Sequence, residues 1–184
     1  MIDTDNLPAD LQECIAFHGH LCPGVVIGYC ASKLGMKLLN IDRSEDEEVI
    51  AIVENDTCAV DAVQYLTGCT FGKGNFYFRD YGKMVFTFAI RPSGRSVRLR
   101  YLGRRPDDYD DIPEDQRRAA QVEFMLASDP SELFDTRQED IELPDAARIH
   151  ESIECAECGE RTMATRIRTE RGRPLCIPCS RKAG

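Results

Sequence analysis

No run of apolar residues in this 184-residue sequence reaches the roughly 18 that a helix needs to cross a bilayer. A helical membrane span is therefore not expected. The opening stretch MIDTDNLPADLQE is acidic and polar. It lacks the basic start and apolar centre of a secretory signal and the arginine-rich face of a transit peptide, so a cytoplasmic location is expected. Internal repeats and low-complexity tracts are absent as well. Histidine is scarce, with three residues in the whole chain, yet two of them stand in one octapeptide, FHGHLCPG, beside a cysteine.

What is present fits one moderate domain and a small appendage, with the boundary expected between residues 1–150 and 151–184. Residues 1–150 carry 16 basic against 27 acidic side chains, whereas 151–184 carry 7 against 5. The acidic body argues against non-specific binding to nucleic acid or to a membrane surface. Cysteine is abundant: nine residues, an odd number, without a secretion signal. That combination points to reduced thiols and metal ligands rather than disulfides.

Hydrophobic periodicity places helices at 8–16, 23–39, 57–67 and 113–129, the third capped by Asp56 or Thr57 and the fourth stopped by Pro130. β-Branched and aromatic runs place strands near 48–54, 75–79, 84–91, 96–102 and 137–143. The order of elements reads as α+β, with helices against a mixed sheet. Six arginines between Arg91 and Arg105 read as an exposed strand face, with anion binding as the lesser alternative.

The tail holds the sharpest motif. Cys155 and Cys158 form one C-x2-C pair and Cys176 and Cys179 a second, seventeen residues later. Four thiolates from two such pairs can converge tetrahedrally on one Zn2+, and a tail this short needs a metal to fold. With all four positions filled by protein, that ion would be structural. Arg161, Arg166, Arg168, Arg171 and Arg173 lie between the pairs without interleaved aromatics. A docking role is expected there ahead of nucleic-acid binding.

In the body, an extended FHGHLCPG would project His18, His20 and Cys22 to one side. Cys22 precedes Pro23 and so caps the next helix, where free N–H groups and the helix dipole favour an anion. Cys58 and Asp61, three apart, share a face at the start of another helix, just beyond a strand. Thiols beside imidazoles make either a transition-metal site or a nucleophile with its base. Asp61 would orient a ligand or take a proton. The loop GCTFGKGN is one residue short of a phosphate-binding P-loop, and Gly74 stands where that loop needs a hydroxyl for magnesium, so an NTPase is excluded. What remains is a glycine-shaped turn that would bring Cys69 and Lys73 near a pocket.

The stretches FHGHLCPGVVIGY and VENDTCAVDAVQYLTGCTFGKGNFYFRDYGK, with the tail cysteines, resemble the FmdE family of formylmethanofuran dehydrogenase proteins. The resemblance implies a thioredoxin-like core with a mixed sheet, a treble-clef zinc finger at the C-terminus and a homodimer. It also implies a metal-binding active site in the core at His18, His20, Cys22 and Cys58, holding a second Zn2+ or another transition metal. The implied role is that of an accessory or catalytic component beside a molybdenum or tungsten one-carbon oxidoreductase. A non-catalytic scaffold whose finger docks a partner is the alternative.

Overall fold

Leu11 and Cys14, one helical turn apart, face inward from the first helix, α1 (Ala9–His18). Gly19 ends that helix at φ +101°, a conformation that side chains other than glycine's seldom adopt, and its N–H closes on the Ile15 carbonyl. In this computed structural model, which describes residues 2–183, the chain divides into two compact units, Met1–Ala146 and Ala147–Gly184. Among the described residues, no helix is long and apolar enough to cross a membrane.

The first unit is built on a five-stranded sheet. Its strands are β1 (Val49–Val53), β2 (Phe76–Phe78), β3 (Val85–Ile90), β4 (Arg95–Tyr101) and β5 (Phe134–Asp140), in the order β2-β1-β3-β4-β5. β1 and β2 are parallel, and every other pair is antiparallel. The first four strands thus have the thioredoxin-like arrangement, with β3 running against its companions. Every residue of β1 is buried, because both faces of the sheet are covered there. One face packs Ala51, Val53, Phe86 and Phe88 against α2 (Pro23–Leu39) and α3 (Ala59–Thr67). The other packs Ile50, Ile52 and Ala89 under Ile141 and Leu143. Full burial of a side chain the size of Phe86 or Phe88 contributes about 1.5–3 kcal/mol.

The helix α2 approaches α3 closely through glycine. A Cβ on Gly28 would lie 2.0 Å from the Ala59 carbonyl oxygen, and one on Gly24 would lie 2.8 Å from Cys58 Cβ. Gly24 is therefore required for proximity, not for the unusual dihedrals expected of a ligand loop. An ion pair fastens α1 to α2: Asp10 Oδ2 lies 2.7 Å from Lys33 Nζ, and Tyr29 donates its hydroxyl to Asp10 Oδ1 at 3.1 Å. Partial burial works to raise the Asp10 pKa, but the Lys33 and Tyr29 hydrogen bonds outweigh it and hold the group below its ordinary 3.8. A depressed carboxylate stabilises the fold above that value and loses the contribution as pH falls through the folded pKa. Asp10→Asn should therefore destabilise by about 0.5–1 kcal/mol at neutral pH. Chemical denaturation should show that difference shrinking below pH 3.8.

Several boundaries differ from the sequence expectation. α1 runs two residues past Ala16, so His18 is helical and the extended reading of FHGHLCPG does not hold. α4 (Glu114–Ala127) ends before Pro130, which instead opens α5 (Pro130–Leu133) with Asp129 as its cap. β5 begins at Phe134, three residues earlier than expected; only Phe134 in it is buried, and the apolar Ile141 and Leu143 that suggested a strand cover the sheet instead. Cys69 does not border a pocket. It is buried, its thiol donates to the Val49 carbonyl, and burial pushes it up to about 11. Lys73 caps the Ser44 and Glu45 carbonyls, so the glycine loop is a structural clamp. Cys14 and Cys30 are core thiols, each pushed up to about 12 by burial, and so held as unreactive thiols. On the arginine-rich strand, Arg98 pairs with Glu54 at 3.0 Å and Arg100 with Asp135 at 3.1 Å.

The second unit consists of two hairpins and a helix: β6 (Ser152–Glu154) with β7 (Arg161–Met163), β8 (Ile167–Glu170) with β9 (Arg173–Cys176), then α6 (Ile177–Ala183). Its buried apolar residues are Cys155, Leu175 and Cys176. Three such residues are too few to fold a chain of this length unaided.

Candidate metal centres

Each tail cysteine is placed by a local element. Cys155 and Cys158 flank the turn between β6 and β7, which Gly159 closes at φ +73°. Cys176 ends β9 and Cys179 lies in α6. The four sulfurs lie within 4.8 Å of one another, and those of Cys158 and Cys176 are 3.9 Å apart. Tetrahedral coordination at 2.3 Å requires sulfur–sulfur separations of about 3.8 Å. A disulfide would need roughly 2 Å. Backbone N–H groups of Cys158, Cys176 and Glu157 aim at the Cys155 sulfur and lower it to about 6, whereas the Cys176 sulfur beside it, then burial, push Cys179 up to about 12. The donor set fits a thiophilic cation. The arginines between the pairs are partly committed to the finger itself: Arg173 pairs with Glu157 at 2.7 Å and Arg161 donates to the Ser152 carbonyl.

The core cluster forms where three helix ends meet. His18 closes α1, Cys22 caps α2, and Asp61 lies in the first turn of α3. Cys22 accepts the Val25 N–H at 3.5 Å, as a capping residue should. His18 Nδ1 is 2.7 Å from Asp61 Oδ2, and His18 Nε2 is 3.9 Å from Cys22 Sγ. A carboxylate only accepts, so Nδ1 carries the proton and Nε2 turns its lone pair toward the thiol. His20 stacks on His18 with ring centroids 4.6 Å apart, and one ligand atom from each of His18, His20 and Cys22 falls within 4.8 Å of the others. The turn at Gly19 thus achieves by other means what an extended segment was expected to do.

Cys58 joins this cluster from the side. It occupies the cap position of α3, while Thr57 Oγ1 accepts the Ala59 N–H at 3.4 Å and is itself held by Asn55. Burial, then the neighbouring Cys22 thiol, raise the Cys58 pKa above its ordinary value. Cys22 and Cys58 therefore adjoin across Gly24, although Cys58 lies outside the group of three ligand atoms. Sequence reasoning missed the glycines that make this possible. Their signal is the four-residue spacing Gly24, Gly28, Ser32 along one side of α2, all facing α3 or buried. The arrangement offers one thiol and two imidazoles to a cation, with an oriented histidine and a second thiol at the edge.

Residues 17–142 match the family described as "FmdE, Molybdenum formylmethanofuran dehydrogenase operon". The chain belongs to the FmdE family. It is similar to an FmdE-like protein of tungsten formylmethanofuran dehydrogenase from Syntrophus aciditrophicus, whose crystal structure superposes with a TM-score of 0.67 at 26% identity, over 91% of this chain and 89% of that one. It is also 28% identical, over 89% of its length, to a protein of Archaeoglobus fulgidus described as a probable S-adenosyl-L-methionine-binding protein. The chain spans half the length of that relative. The FmdE match begins at Phe17 and so includes every core residue named above, while the four tail cysteines fall beyond it.

Proposed function

We propose that this FmdE-family chain works through a transition metal, Zn2+ or a similar ion, bound in the core by His18, His20 and Cys22, with Cys58 as a further thiol at its margin. The tail cysteines hold a structural Zn2+. The chain acts as a homodimeric, cytoplasmic accessory or catalytic component in molybdenum- or tungsten-linked one-carbon redox metabolism. The observation that carries the core reading is the Asp61–His18–Cys22 series, in which the 2.7 Å carboxylate contact fixes the imidazole and points Nε2 at the sulfur. A carboxylate behind a histidine raises its basicity as a ligand and locks its orientation. The bound ion would supply a Lewis acid with an exchangeable coordination position. Asp61 keeps the Nδ1 proton in place, and exposed His20 can release or take a proton at the solvent side.

Metal analysis of the full chain after anaerobic purification should find two ions per chain. Cys22→Ser and His18→Ala should each lower that to one, while Asp61→Asn should weaken core binding by about 10–100-fold without abolishing it. One ion in the unaltered chain, unchanged by Cys22→Ser, would refute the core reading and leave the finger intact.

A further inference from the structure

A second feature of the first unit lies outside the cysteine and histidine cluster. Between the start of α2, the end of β4 and α4 is a cleft of about 230 Å³, bordered by Ile27, Tyr101, Arg104, Arg105, Arg118 and Gln121. Its rim includes Pro23, the residue after Cys22. Gln121 is buried, with 9% of its surface exposed. Its Nε2 donates to the Arg104 carbonyl at 2.8 Å and to the Tyr101 hydroxyl at 3.3 Å. The carbonyl can only accept, so the amide orientation is fixed and Oε1 is turned away from it. That Oε1 is buried without a hydrogen-bond partner among the described residues. A buried acceptor is rarely left unpaired, and the exceptions call for an unseen donor.

The charges around the cleft are one-sided. Arg104 and Arg118 are exposed and make no ion pair among the described residues, while Arg105 lies over the Tyr109 ring at 4.7 Å. Asp107, Asp108, Asp110 and Asp111 follow in the same loop but do not border the cleft; Arg118 also faces a neighbouring hollow with Glu114 and Asp115. Guanidinium groups recognise planar or tetrahedral oxyanions through paired N–H donors. An apolar wall with a few convergent polar groups is the usual build of a small-molecule site.

We propose that this cleft binds a small organic anion, carboxylate or phosphate, whose adjoining N–H or O–H donates to Gln121 Oε1. Arg104 and Arg118 hold the anionic group, Tyr101 and Ile27 contact the carbon skeleton, and Gln121 selects for the donor. The proposal is independent of the core metal, since none of His18, His20, Cys22 and Cys58 borders the cleft.

The test is a nuclear magnetic resonance titration of the full chain with N-acetylglycine, its N-methyl analogue and inorganic phosphate. N-acetylglycine should give saturable shifts at Tyr101, Arg104, Arg118 and Gln121, and the N-methyl analogue, which lacks the donor, should bind about tenfold more weakly. The double variant Arg104→Ala/Arg118→Ala, altering two exposed residues, should weaken N-acetylglycine by at least about tenfold. Gln121→Met should bring the two acetylated probes to equal affinity. Tighter binding of phosphate than of N-acetylglycine would support the site and assign it to phosphorylated ligands. Absence of saturable shifts with all three probes, or shifts indifferent to the double arginine variant, would overturn the proposal.

Discussion

Replacing Cys155 by serine should release the tail ion and unfold Ala147–Gly184 while leaving Met1–Ala146 folded. The expected effect is large because the finger's buried apolar set is Cys155, Leu175 and Cys176. Metal affinity in such small modules amounts to about 10–16 kcal/mol and stands in for the missing core. Cys155 is also the sulfur that receives the Cys176 N–H at 3.3 Å, so its loss removes both a ligand and a link between the two pairs. Chelation of the unaltered chain should produce the same state. Amide exchange measured by mass spectrometry would read it directly: rapid exchange across residues 152–182, with the strands of the five-stranded sheet still protected. A finger that keeps its protection without metal would contradict the account.

Gly28→Ala should destabilise the first unit by at least about 3 kcal/mol, the upper range for overpacking a rigid contact. The added methyl would meet the Ala59 carbonyl at 2.0 Å, and that oxygen belongs to backbone that cannot rotate away. Relief requires α2 and α3 to separate, which moves Cys22 and Cys58 apart and draws Asp61 from His18. The variant should therefore lose core metal along with stability. Gly24→Ala, where the clash is 2.8 Å against the Cys58 side chain, should be milder in denaturation and still weaken the metal. Equal metal binding by both variants and the parent would show that the helix separation does not set the site.

Much of this was legible in the sequence. The order of helices and strands follows from apolar periodicity, and α2 spans the residues expected because Pro23 and Asn40 mark its ends by their own backbone preferences. The tail cysteines announce themselves by spacing. The core cluster was harder to read. Its residue types were visible, but the extended geometry assigned to FHGHLCPG ignored that Gly19 could end a helix and turn the chain within one residue. The partnership of His18 with Asp61 spans forty-three positions, and no local pattern encodes it. β5 was displaced because a strand exposed on nearly all its length carries no alternating apolar signal. Gln121 was hidden for the opposite reason: a polar residue within an amphipathic helix reads as surface until packing buries it.

The outer strand β5 also limits how two copies of the chain can associate. It forms one border of the sheet and presents Asp135, Arg137 and Glu139. Were two copies to join border to border, antiparallel about Arg137, that arginine would face its twin and Asp135 would oppose Glu139. Like charges directly across a strand pair repel, and charged borders of this kind deter sheet extension. A twofold assembly of this chain must therefore be sought on other surfaces, and its sheet ends with the fifth strand.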